Sequence, residues 1–105
     1  MTDDEVRNLA WRGVAAPAHP IFPTGQGLTG AAIPDRTIVV SNDVARDSRY
    51  LTNQASTGSE LIAPVLVGER VVGTLDVEDP STNAFDEDDR PLYELIAAAL
   101  VDLYR

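Results

Sequence analysis

The chain has 105 residues, enough for one compact domain around one core and too few for two. Its eight basic residues are all arginine and stand against 17 acidic ones, a formal charge of −9 that repels phosphate backbones and anionic bilayers and so speaks against nucleic acid and membrane partners. With no cysteine, no lysine and one histidine, His19, the inventory excludes disulfides, thiolate catalysis, Schiff-base and P-loop chemistry, and any multi-histidine metal site.

In chain order, Leu9 to Val14 reads as a short strand. It runs into a segment with Pro17, Pro20 and Pro23, which forbid a helix or a central strand and predict an extended surface connection. Gly25, Gly27 and Gly30 punctuate a turn into Leu28 to Ile33, a short helix expected to end at Pro34. Thr37 to Val40 is a β-branched run of strand length within Arg36 to Ser41. Asn42-Asp43 then form a turn or cap before a helical piece near Val44 to Asp47. Leu61 to Val67 and Arg70 to Val77 predict a hairpin turning at Gly68-Glu69. The last element is a helix with Phe85 packed before it, caps and negative charge from Asp86 to Asp89, and Pro91 in its first turn. Its residues Leu92, Leu95, Ile96, Ala99 and Leu103 recur at helical spacing and are expected to face the sheet. Trp11 is expected in the core or an interface, and His19 in an exposed loop. The start of the chain lacks the pattern of a signal peptide, and no apolar run reaches bilayer length, so a cytoplasmic location is expected.

The acids of the hairpin are the candidate chemistry. Alternation along the second strand puts Val72, Thr74, Asp76 and Glu78 on one face and Val71, Gly73, Leu75 and Val77 on the other. A plain two-residue loop pairs Glu60 with Val77, whereas a three-residue loop or a bulge pairs it with Glu78 and joins three carboxylates on one face. Three converging carboxylates repel, which raises at least one pKa and suits an amine or other cation, or a protonated carboxyl that donates a hydrogen bond. The blander alternative has Glu60 and Asp76 bonding backbone groups or arginines, with Glu78 solvated at the strand end. Asp86 to Asp89 lack the glycine and ligand spacing of a calcium loop and read as helix capping, so no metal is expected. Glycines 25, 27 and 30 follow no clear strand and do not make a dinucleotide fingerprint.

Four blocks in order, GQGLTGAA at 25–32, IVVSNDVARDSRY at 38–50, SELIAPVLVGERVVGTLDVEDP at 59–80 and FDEDDRPLYELIA at 85–97, resemble the GAF domain family over residues 27–104. The resemblance implies one α/β (α+β) domain over 1–105. Its antiparallel GAF/PAS-like sheet would be flanked by helices, with the last helix on its back and loops 42–60 over its front. The branch it most resembles is the free methionine-(R)-sulfoxide reductases. In that branch, the positions held here by Thr29 and Asn53 carry redox cysteines, so its thiol chemistry is closed to this chain. Glu60, Asp76 and Glu78 match the branch's substrate-binding carboxylates, with Glu in place of Asp at 78. The family's first helix and first one or two strands have no counterpart, which would leave a sheet edge open and predicts a homodimer or swapped assembly.

The resulting expectation is a non-catalytic sensory or regulatory module with no cofactor. It would bind a small molecule, cationic or amino-acid-like, through Glu60, Asp76 and Glu78 together with Tyr50 and Thr52 of the covering loop, or mediate dimerisation in signalling. The alternatives are a reductase-like protein that binds the sulfoxide without the redox cysteines, and a purely structural dimerisation module.

Overall fold

The structure is a computed structural model that describes residues 1–13, 17–51 and 56–104. In chain order its elements are β1 (Glu5–Arg7), β2 (Ile21–Pro23), α1 (Gly27–Asp35), β3 (Val39–Ser41), β4 (Ser59–Val67), β5 (Arg70–Asp79) and α2 (Arg90–Ala99), with 3-10 turns at Val44–Arg46 and Leu100–Tyr104. The architecture is mixed α/β with antiparallel sheets, the class expected. The strands divide into two sheets: a small pair β1-β2 and a three-stranded sheet in the order β3-β4-β5.

The hairpin β4-β5 is the centre of the domain because β4 is apolar on both faces. Its residues from Ser59 to Val65 are all buried. Leu61, Ala63 and Val65 point to one side and pack with Ile38, Phe85 and Ala97 under α2. Ile62 points to the other and packs with Leu28 and Ala32 of α1, with Val39 and Tyr50 at its rim. Helices therefore cover both faces of the strand, which is why its sequence reads as a continuous apolar run rather than an alternating one.

Several sequence expectations are corrected. Residues 9–13 form no strand; the first strand lies earlier, at Glu5–Arg7, and pairs with Ile21–Pro23. That pairing is short because Pro20 precedes β2 and Pro23 ends it, and proline cannot donate to a ladder. Helix α1 runs through Pro34 to Asp35 and ends at Arg36, whose left-handed φ of 55° lets its N–H reach the Ala32 carbonyl. The strand predicted over Arg36 to Ser41 is ordered as β only from Val39.

The largest correction concerns α2. Leu92, Leu95 and Leu103 are 53%, 69% and 73% exposed, so the stripe expected to face the sheet faces solvent instead. The residues that pack on the sheet are Tyr93, Ala97, Leu100, Val101 and Tyr104. The sheet surface explains the choice. Ala63 and Gly73 leave it shallow, and the Tyr104 ring lies where a side chain on Gly73 would stand. Flat rings and alanine fill such a surface better than a row of leucines. At the start of the helix the Asp89 carboxylate accepts the Asp86 N–H at 2.8 Å, so the acidic run is knitted into its own turn.

Candidate functional site

Glu60 and Glu78 face each other in the ladder, as do Ile62 and Asp76. The turn at Gly68-Glu69 is the two-residue loop, with Val67 opposite Arg70, and by itself it would have paired Glu60 with Val77. A bulge between Val65 and Leu66 shifts the register by one and resolves the alternatives. The extra residue also breaks alternation, so Val72 packs with the core under α2 instead of sharing a face with Asp76.

The loops above this face complete the site. Gly30 allows α1 to start tightly, because a Cβ there would lie 2.5 Å from the Gly25 backbone. This places buried Thr29 on the wall of the cleft. On the other side, Ser59 ties down the chain around the hairpin's end. Its fully buried hydroxyl donates to the Ser81 carbonyl at 2.7 Å and accepts the Ala84 N–H at 3.3 Å. Asn42 clasps Phe85 through two bonds, its Nδ2 donating to the Phe85 carbonyl at 2.9 Å and its Oδ1 accepting the Phe85 N–H at 3.2 Å. In the Ser59-Glu60 pair the serine thus has an architectural job, and the glutamate alone turns toward the site.

One oxygen from each of Glu60, Asp76 and Glu78 lies within 4.8 Å of the others. Glu78 Oε1 accepts hydrogen bonds from the Tyr50 hydroxyl and from Thr57 Oγ1, each at 3.1 Å. Glu60 is 4% exposed, and its Oε2 has no hydrogen-bond partner among the described residues. Burial, then the Asp76 and Glu78 charges, push the Glu60 carboxyl up to about 10, so at neutral pH it holds its proton and shares a hydrogen bond with Glu78. Asp76 is raised to about 7 by burial and by the Glu78 charge, yet its side chain opens into the cleft and is exposed, so water moderates the first of these causes.

The ion pairs among the described residues leave these three acids out. Arg49, next to Tyr50 in sequence, is committed to Asp47, with Nε to Oδ1 at 3.0 Å and Nη2 to Oδ2 at 2.7 Å. That clasp holds the Asp47 carboxyl well below the usual range. Burial raises the Tyr50 hydroxyl, which stays a donor at neutral pH.

Asp76 and Glu78 line an open cleft of about 660 Å³ between β5 and the N-terminal segment, with Trp11, His19, Phe22 and Thr29 on its walls. Trp11 is half-exposed in that cleft rather than in the core. Of the residues expected to form the site, Glu60, Asp76, Glu78 and Tyr50 come together, while Thr52 lies outside the described residues, as does Asn53. Thr57 joins them unannounced by the sequence; its only signal there is a hydroxyl two residues before the Ser-Glu pair. No helix of the described residues is long and apolar enough to cross a membrane.

The fold agrees with three comparisons. The profile of the GAF domain matches residues 1–102, and the chain belongs to that family. It is 31% identical over 84 residues to protein YtsP of Bacillus subtilis, covering 80% of this chain and 52% of that protein. It is 29% identical over 77 residues to the free methionine-R-sulfoxide reductase of Escherichia coli, covering 72% of this chain and 47% of that enzyme. The chain therefore spans about half the length of the curated relatives it matches. Among solved structures, the free methionine-R-sulfoxide reductase of Neisseria meningitidis, in complex with its substrate, superimposes with a TM-score of 0.86 at 26% identity. That superposition covers 95% of this chain and 59% of that one.

Proposed function

We propose that this GAF domain is a non-catalytic binding module whose ligand is a small molecule presenting a cationic group, such as an amine or an amino acid. The positive end sits against Asp76, Glu78 and Glu60, and the rest of the ligand lies in the cleft toward Trp11 and Phe22. The observation that carries this reading is the buried, unpartnered Glu60 Oε2 beside two further acids that take part in no ion pair among the described residues. A bound cation would offset the charge of Asp76 and Glu78, which no ion pair among the described residues balances. A thermal-shift screen of amines, amino acids and methionine sulfoxide tests it. Stabilisation by a cationic compound that disappears in Asp76→Asn supports the proposal, and stabilisation by neutral or anionic compounds alone overturns it.

The similarity to two methionine sulfoxide reductases favours a second reading, in which the site takes the sulfoxide as ligand. Because this chain has no cysteine, sulfoxide binding without turnover is the form that reading takes here. Incubation with methionine sulfoxide and reduced thioredoxin separates the two, since measurable turnover by the pure chain would establish an enzyme. We further propose a homodimer, motivated by the exposed aliphatic stripe of α2. A light-scattering mass of one chain at high concentration would remove that element.

A further inference from the structure

We infer that Glu60, Asp76 and Glu78 form a binding site for a hard divalent cation, with calcium the ion whose size fits. The inference shares its site with the proposed function but not its ligand, and it departs from the sequence-based expectation of no metal.

The geometry is the first support. One oxygen of each carboxylate lies within 4.8 Å of the other two. Calcium bonds oxygen at about 2.3–2.6 Å, so oxygens on opposite sides of the ion stand roughly 4.6–5.2 Å apart. One calcium sphere therefore admits the three oxygens with one pair near the 4.8 Å limit on opposite sides of the ion and the third between them. Magnesium, with bonds of about 2.0–2.1 Å, spans only about 4.0–4.2 Å and would require any pair near the upper limit to contract.

The unsatisfied oxygen is the second and independent support. Glu60 is more than nine-tenths buried, sits opposite Glu78 in the ladder, and leaves Oε2 without a partner. A side chain fixed in this way on a central strand is a preformed ligand rather than a solvated surface acid. Glu78 is held from the other side by the Tyr50 and Thr57 hydroxyls, which both bond its Oε1 and fix the orientation of the carboxylate. Such outer contacts orient the ligands of metal sites generally. Asp76 stands at the mouth, open to the cleft, where water can complete the six to eight oxygens that calcium takes. The ligand set is all oxygen, with no cysteine in the chain, which selects calcium, magnesium and manganese over zinc and copper.

The test uses the full chain after chelator treatment, titrated with calcium, magnesium and manganese chlorides by calorimetry and thermal shift at constant ionic strength. The expected result is saturable calcium binding in the range of about 10⁻⁴–10⁻³ M, with magnesium weaker. Asp76→Asn should weaken calcium by at least about tenfold, because an amide replaces a charged ligand. The double variant Asp86→Asn with Asp88→Asn, which removes charge from the exposed loop before α2, should leave it unchanged. Glu78→Gln serves in place of Asp76→Asn if that variant does not fold. No saturable binding, or binding lost in the loop variant and kept in Asp76→Asn, overturns the inference. Amine binding is scored separately in chelator, so either ligand can fail while the other stands.

Discussion

Replacing Glu60 by glutamine should stabilise the protein at neutral and alkaline pH, although the residue is buried at the centre of the fold. The carboxyl is raised from 4.5 to about 10 by its surroundings, so between those values the folded chain carries one proton that the unfolded chain has released. Where the folded state binds more protons, stability falls as pH rises, by about 1.4 kcal/mol per pH unit for one proton. The contribution is whole below pH 4.5 and is lost progressively toward pH 10. At pH 7, well above 4.5, the wild type has given up roughly 3 kcal/mol through this one group. Glutamine occupies nearly the same volume, can donate its amide N–H to Glu78 as the protonated carboxyl does, and has no such loss. Its own cost is a second buried amide N–H, about 1–3 kcal/mol and independent of pH. Urea unfolding of both proteins from pH 5 to pH 9, in chelator, should show the variant's advantage growing by about 1.4 kcal/mol per unit and already positive at neutrality. Asp76 titrates beside an uncharged neighbour at position 60 in both proteins, so its contribution cancels in the difference. A difference that stays flat across this range would refute the assignment of a protonated, desolvated Glu60.

Because Asp76 is raised above the usual carboxylate range, affinity for an amine ligand should climb by up to about tenfold per unit as pH rises toward the Asp76 pKa and level off above it, a step that Asp76→Asn abolishes in a calorimetric pH series. Ser59→Ala removes a fully buried hydroxyl bonded to Ser81 and Ala84, and should cost about 1–3 kcal/mol in urea unfolding. Leu95→Glu lies on the exposed side of α2 and should leave the stability of the isolated chain within about 0.5 kcal/mol while lowering any dimer mass seen by light scattering.

The hairpin was legible because β-branched alternation and Gly68-Glu69 are local signals, each readable within a few residues. Its register was not, since the choice between Val77 and Glu78 opposite Glu60 turns on a bulge that leaves no separate mark in an apolar run. The acids could therefore be named but not placed on one face. The reading of α2 failed for a different reason. Both sides of the helix carry apolar groups, and counting aliphatics favoured Leu92 and Leu95 over Tyr93 and Ala97. The shape of the sheet favoured the second set, which fills the hollow over Ala63 and Gly73. The short pairing of β1 with β2 is set by long-range backbone contact and had no periodicity to read. Tyr50 was accessible to sequence reasoning only through the family resemblance, and Thr57 not at all.

The bulge opposite Val65 and Leu66 also acts as slack in the length of the chain. Between the turn and the acid pair, β5 has one residue more than β4, and Val72 is the residue without an opposite number. Deleting Val72 would let the ladder run plain from the turn and would still leave Glu60 opposite Glu78, losing only the contacts of Val72 with the core. Deleting one residue of β4 between Glu60 and Val67 would instead double the mismatch, so that the acids part or a second residue of β5 is forced out of the sheet. Insertions reverse the asymmetry: β4 can take one more residue into the existing slack, and β5 cannot. The two strands of one hairpin should thus accept length changes of opposite sign. A library of single-residue insertions and deletions through 61–77, scored for folding, would draw that boundary directly.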